Sequence, residues 1–127
     1  MYSAWARKRG MRFDTLSLGG QTATVFSGLG AYTILAPEAG LHTLELPRRN
    51  RAYERVSALV TVAPLAATGS DVSLEERARR ALERQPPVRR IVRRYRREPS
   101  PLVRDSVRGW RTGRLDAVLG GNFDLIV

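Results

Sequence analysis

Apolar residues change their spacing about half-way along this 127-residue chain, and that change restricts the fold more than any other feature. Before Ala63, short apolar runs are separated by turn-forming residues, as at Gly19-Gly20 and Pro37-Glu38-Ala39-Gly40, a pattern typical of strands joined by tight turns. After Ser73, apolar residues recur every three or four positions, which indicates amphipathic helices. The sequence therefore predicts an α+β fold, a mainly antiparallel sheet packed by an N-terminal helix and C-terminal helices.

The first half is predicted to contain one helix followed by strands. Residues 2–9 favour a short helix that carries Trp5 and ends at Gly10, because glycine readily takes the left-handed conformation beyond a helix end. The two runs around Gly19-Gly20, residues 11–18 and 22–26, predict a hairpin. Three further strands are expected at residues 31–35, 41–46 and 56–63.

The second half is predicted to contain three helices. The helix over residues 73–85 opens with a capping box, and Pro86-Pro87 break the chain after it. Apolar residues then follow at positions i, i+3, i+4 and i+7 from Val88, which predicts an amphipathic helix. Leu102-Val103 favour a short strand or extended link, and residues 115–119 a last helix. The polar face of the predicted middle helix carries Arg89, Arg90, Arg93, Arg94, Arg96 and Arg97.

Positive charge is concentrated in one part of the chain. The chain has 22 Lys and Arg against 12 Asp and Glu, and residues 77–114 alone hold fourteen Arg and three acids. Clustered arginines neutralise phosphates and supply most of the sequence-independent affinity for nucleic acids. We therefore expect RNA or ribosome contact, while an acidic protein partner, or a solvated face with no partner, stays open.

Several classes of function are excluded by composition. With no cysteine and a single histidine, His42, the chain offers neither a thiolate nucleophile nor the usual zinc ligands, so no catalytic residue, metal or cofactor is expected. His42 is interpreted as a packed or hydrogen-bonded residue, and no small-molecule substrate is indicated. The apolar runs are too short to span a membrane and the N-terminus lacks the apolar stretch of a signal peptide, which predicts a cytoplasmic protein.

The order of several motifs resembles the codon-recognition domain of bacterial class I peptide chain release factors, particularly the type that reads UAA and UGA. The N-terminal motifs are the first ten residues, Met1 to Gly10, then Gly30-Ala31-Tyr32, then the run from Glu38 to Leu44. The C-terminal motifs are the run from Ser100 to Asp105, Arg111-Thr112-Gly113, and the run from Ala117 to Ile126. The resemblance covers about residues 1–64 and 88–127.

The resemblance implies a single domain over residues 1–127, made of a helix and sheet block at 1–64, a linker and short helix at 65–87, and the arginine helix with the C-terminal block at 88–127. In the family, a hydrolase domain with a Gly-Gly-Gln loop lies between the two blocks, and here residues 65–85 replace it. Gly19-Gly20-Gln21 lies in the wrong place and is interpreted as a hairpin turn. We therefore expect no peptidyl-tRNA hydrolysis and no enzyme activity.

The family's codon-reading loop is also replaced, by a basic segment from Leu46 to Arg55 in which only Pro47 matches. Such a segment suits contact with an RNA backbone without sequence discrimination. The sequence thus predicts a non-catalytic release-factor-like protein that binds the ribosome or RNA, or alternatively a module that keeps the fold and binds an acidic protein. The predicted RNA-binding residues are Arg48, Arg49, Arg51 and Tyr53 in this loop, and Arg89, Arg90, Arg93, Arg94 and Arg97 on the arginine helix.

Overall fold

A hairpin and a five-stranded sheet, packed by short helices, make up the computed structural model, which describes residues 1–50, 52–66 and 71–124. This architecture confirms the predicted α+β class. The helices are α1 (Tyr2–Lys8), α2 (Ala31–Leu35), α3 (Leu74–Glu83) and α4 (Leu115–Leu119), and a single 3₁₀ turn covers Ala36–Glu38. The strands are β1 (Arg12–Leu18), β2 (Gln21–Ser27), β3 (Gly40–Pro47), β4 (Tyr53–Val60), β5 (Ile91–Arg96), β6 (Leu102–Asp105) and β7 (Arg111–Thr112).

The predicted hairpin is confirmed. Strands β1 and β2 pair antiparallel, from Arg12 opposite Ser27 to Leu18 opposite Gln21. The turn residues Gly19 and Gly20 have φ angles of 57° and 89°. Two consecutive positive φ angles match the twist of a hairpin, and glycine adopts them without steric cost.

The larger sheet joins the two ends of the chain. Its strand order is β4-β3-β5-β6-β7, and all neighbours pair antiparallel except β3 and β5, which are parallel. The chain leaves the sheet after β4, forms α3, and returns as β5 beside β3. Strands from the first 64 residues and strands from beyond residue 88 therefore share one set of hydrogen bonds.

The core lies where α1 and α4 meet the inner face of the sheet. The ring centroid of Trp5 lies 5.9 Å from that of Phe123, and both side chains are fully buried together with Val103 and Val118. Gly121, at φ +105°, allows this approach, because a Cβ there would lie 2.5 Å from the backbone nitrogen of Trp5. The motifs that carry the family resemblance at the two ends of the chain thus meet in the core.

Helix α3 begins as predicted. The hydroxyl of Ser73 accepts a hydrogen bond from the backbone N–H of Glu76 at 3.2 Å, which is half of a capping box. The carboxylate of Glu76 binds Arg79 and Arg80 instead of reaching back to Ser73. None of the described helices is long and apolar enough to cross a membrane.

The prediction of a strand over residues 31–35 is wrong, since these residues form α2. Gly30, at φ +78°, precedes the helix, and its carbonyl accepts a hydrogen bond from Ile34 N–H at 3.0 Å. Ala31 and Leu35, four positions apart, are both buried. One helical face is therefore packed against the core, and that packing outweighs the β-branched residues Thr33 and Ile34.

The predicted amphipathic arginine helix over residues 88–97 is also wrong, because the segment contains strand β5. From Arg93 onward its side chains alternate: Arg93 and Tyr95 are buried and Arg94 between them is exposed, whereas the register against β3 shifts just before Arg93, at the buried Val92. The helical spacing from Val88 holds only if every arginine of the segment is exposed to solvent. Arg93 is instead buried and donates to two buried carboxylates, so inward-facing side chains recur at every second position, as in a strand.

Candidate nucleic-acid interface

Arg93 lies at the centre of a buried cluster of charges on the inner face of the sheet. Its guanidinium is 1% exposed and donates to Glu38 Oε1 at 2.7 Å and to Asp105 Oδ2 at 2.8 Å. Arg108 binds the same two carboxylates, and also donates to the backbone carbonyl of Ile34 at 2.6 Å. Two guanidiniums thus neutralise two buried carboxylates, and they hold the residues before β3 against β5 and β6.

The predicted role of Arg93 in binding a phosphate needs correction. A buried guanidinium that is saturated by two carboxylates is not available to an external anion, and freeing it would leave Glu38 and Asp105 uncompensated in the interior. Arg93 is a structural residue in this fold.

His42 completes the cluster through both ring nitrogens. Its Nε2 lies 2.8 Å from the backbone carbonyl of Glu38, so Nε2 carries the proton and donates, while Nδ1 accepts from the Tyr95 hydroxyl at 2.9 Å. Burial lowers the pKa of His42 below its ordinary value, which keeps the ring neutral as this hydrogen-bond pattern requires. The interpretation of His42 as a packed, hydrogen-bonded residue is confirmed.

Burial by itself would raise the pKa of Glu38, but the hydrogen bonds and charge of Arg93 outweigh burial and lower that pKa below its ordinary value. Burial alone would likewise raise the pKa of Asp105. The backbone hydrogen bond from Arg108 and the side-chain bond from Arg93 outweigh burial, so that pKa also lies below its ordinary value. Both carboxylates are therefore ionised at neutral pH.

The opposite face of the sheet, here called the outer face, carries a row of arginines that crosses three strands. Arg94 on β5 lies directly opposite Arg104 on β6, which lies directly opposite Arg111 on β7. All three are exposed, and none of them forms an ion pair with any part of the chain that the structure describes. The same row continues over β3 and β4 through Thr43 and Ser57, whose hydroxyls are 2.9 Å apart.

Like charges directly opposite each other on neighbouring strands destabilise a sheet. No carboxylate among the described residues forms an ion pair with Arg94, Arg104 or Arg111. Such an arrangement becomes favourable when an external anion binds to it.

A second row runs parallel to the first, nearer the hairpin that connects β3 and β4. It contains Arg55, Glu45, Arg96 and Leu102. The guanidinium of Arg96 lies over the ring of Tyr53, 5.9 Å from its centroid. The hairpin tip and the outer face are therefore continuous.

The tip residues predicted from sequence have unequal roles. Arg49 is exposed. Tyr53 is 38% exposed, and the guanidinium of Arg96 lies over its ring. Arg48 is also exposed but forms an ion pair with Glu54, which an incoming phosphate can replace because exposed pairs contribute little. Arg51 lies outside the described residues.

The remaining predicted arginines lie around β5. Arg89 and Arg90 are exposed in the segment before the strand. Arg97, after the strand, contacts Asp116 Oδ1 at 3.3 Å, and both side chains are largely solvent-exposed. Of the predicted set, only Arg94 lies in the row of three arginines.

The sequence reasoning missed Arg55, Arg96, Arg104 and Arg111. The usable signal was the alternation within β5, because a strand reading places Arg94 and Arg96 on one face. The partners Arg104 and Arg111 follow only from the strand register, since each lies in a short segment with no charge pattern of its own.

The sequence matches no family model and no curated protein at a significant level. The structure, however, is similar to that of RF2 of Thermus thermophilus, with a TM-score of 0.62 and 17% sequence identity over 99% of this chain. The chain has a release-factor-like fold. It spans 59% of the length of that RF2 chain.

Proposed function

We propose that this chain is a non-catalytic release-factor-like protein of the cytoplasm that binds the ribosome or RNA through its outer face and hairpin tip. The observation that carries the proposal is the row of Arg94, Arg104 and Arg111, three directly opposed arginines without ion-pair partners in the described residues. The likeness to RF2 supports a connection with translation termination.

The overall charge supports a polyanionic partner. A formal net charge of +10 on 127 residues attracts anions at long range and raises association rates. Guanidiniums match the geometry of phosphate oxygens and remain charged at every physiological pH. On the outer face of the sheet, the arginines at positions 55, 94, 96, 104 and 111 are accompanied by one acid in the two rows, Glu45.

The placement of Gly19-Gly20-Gln21 supports the absence of hydrolase activity. The two glycines form the turn of a hairpin, and Gln21 begins strand β2. Arg12 is the nearest basic residue along the chain, seven residues before Gly19, and lies at the far end of β1, about 20 Å from Leu18 at the turn end of the strand. Along the chain, the turn thus has no close basic neighbour of the kind that would hold such a tripeptide against RNA at a reaction centre.

The hairpin tip supports binding without codon specificity. The only histidine, His42, has both ring nitrogens engaged inside the sheet. The tip instead offers guanidiniums and the ring of Tyr53, groups that contact phosphates and stack on any base.

Two assays test this function. Sedimentation with ribosomes across a salt series is expected to show binding that weakens as salt increases. Added to ribosomes stalled at a stop codon with labelled peptidyl-tRNA, the protein is expected to release no peptide. Release above the background without protein would contradict the non-catalytic assignment, and a protein that stays in the supernatant at low salt would contradict ribosome binding.

A further inference from the structure

We propose that the β7 end of the outer face is a cleft for one unpaired nucleotide, so that the protein prefers single-stranded RNA to duplex RNA. This inference rests on the proposed function and adds the form of RNA that the same face takes. The cleft lies where β5, β6 and β7 meet the turn before Trp110.

The size of the cleft suits a single nucleotide. Its volume is about 320 Å³, at the lower end of the range for small-molecule sites. It is open to solvent on one side, so a chain can enter and leave it without the fold changing. The lining includes the arginines of the row, Arg94, Arg104 and Arg111, together with Ile91, Ser106 and Trp110.

The charges in the cleft fit a phosphate. The three arginines lie on adjacent strands, about 5 Å apart at their backbones, and all three line the cleft, so their long side chains can reach one anion. Asp105 also lines the cleft, but its carboxylate already accepts hydrogen bonds from Arg93, Arg108 and the backbone N–H of Val107. The net charge presented to a ligand is therefore positive.

An apolar strip borders the arginines. Leu59, Leu41 and Ile91 are paired across β4, β3 and β5 in the next row along the strands, and Ile91 also lines the cleft. Leu59 is 44% exposed. A nucleotide whose phosphate binds the arginines can therefore place its base against aliphatic side chains.

This arrangement distinguishes single strands from duplexes. In a duplex the bases are stacked and turned towards the partner strand, and only the backbone and groove edges meet a protein surface. An unpaired nucleotide presents its base and phosphate together, so it alone can use both the arginines and the strip. A duplex would meet the arginines only.

The test compares two RNAs with the same number of phosphates, an unstructured 24-nucleotide strand and a 12-base-pair duplex, by fluorescence anisotropy with the full chain. The single strand is expected to bind on the order of tenfold more tightly, which corresponds to about 1.4 kcal/mol from the contact of one base with the aliphatic strip. Because the arginines hold the phosphate that places the base against the strip, the double variant Arg104→Gln and Arg111→Gln is expected to weaken binding of the single strand more than binding of the duplex, and so to abolish most of this preference. It should also lower the slope of log affinity against log salt by about 1.4, which corresponds to two lost phosphate contacts on a single strand.

The matched control removes the same charge elsewhere. Arg12→Gln with Arg84→Gln changes two exposed arginines, on β1 and at the end of α3, that belong to neither row of the sheet and do not line the cleft, and should keep the preference for the single strand. Circular dichroism melting is the check that both double variants fold.

Equal or tighter binding of the duplex would overturn the inference, as would competition by polyglutamate as effective as that by the single strand. If ribosomes still pellet the protein in a salt-dependent way, such a result refutes the cleft and leaves the proposed function standing. If neither RNA nor ribosomes bind, both fail.

Discussion

Arg94 and Arg104 occupy directly opposite positions on the neighbouring strands β5 and β6, with both side chains exposed on the outer face. Arg111 stands opposite Arg104 on its other side. A fold that places like charges side by side loses stability relative to one that pairs opposite charges. If the row binds anions, the same three arginines lower the stability of the free fold and strengthen its binding to a polyanion.

This connection predicts opposite effects of one substitution. Arg104→Glu turns the repulsion between position 104 and its two opposite arginines, Arg94 and Arg111, into attraction. The free energy of unfolding should therefore increase by about 0.5–1 kcal/mol. The same change should weaken binding to ribosomes, because it removes one phosphate contact and adds a repulsive charge. Urea denaturation and sedimentation measure the two effects.

Arg12→Glu is the control for that substitution. Arg12 begins β1 opposite Ser27 and has no arginine neighbour in its pair. It should neither stabilise the fold nor weaken binding by more than the general change in net charge. A gain in stability from Arg12→Glu equal to that from Arg104→Glu would show that repulsion within the row is not its source.

The buried cluster predicts a large loss of stability when Arg93 is removed. Arg93→Met leaves Glu38 and Asp105 buried with only Arg108 to compensate them, so the free energy of unfolding should fall by about 3–5 kcal/mol. Arg97→Met breaks only the exposed contact with Asp116 and should cost less than about 1 kcal/mol. Similar losses for the two variants, measured by chemical denaturation, would refute the assignment of Arg93 to the structural core.

The elements that the sequence predicted correctly differ from those it did not in how far apart their determining residues lie along the chain. Helix α1, the β1–β2 hairpin and α3 were predicted correctly because their signals are local, at Gly10, Gly19-Gly20 and Ser73. Strand β5 was not, because its inward arginine is compensated by two distant carboxylates, Glu38, which lies 55 positions earlier, and Asp105 on β6. The row of arginines was missed for the same reason, since Arg104 and Arg111 come together only through pairing across strands.

The pKa shifts predict how stability depends on pH. Burial lowers the pKa of His42 in the folded state. As the pH falls, His42 is therefore protonated at a higher pH in the unfolded chain than in the folded one. Stability should decrease as the pH falls below about 6.5. His42→Gln should flatten the profile between pH 7.5 and pH 5.5, as measured by urea denaturation at a series of pH values. An unchanged slope would mean that His42 does not bind its proton more weakly in the fold.

A second decline is expected at lower pH. The pKa values of Glu38 and Asp105 are raised by burial but lowered overall by their arginine partners, so both carboxylates add stability above their unfolded pKa values. That stability is lost as the pH falls below about 4.5. In Arg93→Met, this acid-dependent loss should be much smaller, because the groups that lower the two pKa values are fewer.

Gly121 supplies a test of the packing between α1 and α4. Gly121→Ala adds a Cβ 2.5 Å from the backbone nitrogen of Trp5 at a φ of +105°. The helices must separate, so the loss of stability should exceed the cost of about 1–2 kcal/mol for an alanine at positive φ. Gly109→Ala, at φ +79° with no atom within 4 Å of the new Cβ, measures that conformational cost alone. Equal losses for the two variants would show that contact with Trp5 is not the constraint at position 121.

The most direct test of the central claim is ribosome sedimentation with two double variants of equal charge. The account predicts that the unaltered chain pellets with ribosomes at low salt, and that Arg94→Gln with Arg104→Gln remains largely in the supernatant. Arg12→Gln with Arg84→Gln should pellet almost as well as the unaltered chain. If the two variants pellet equally, binding depends on total charge and not on the row of arginines, and the outer face is not the interface.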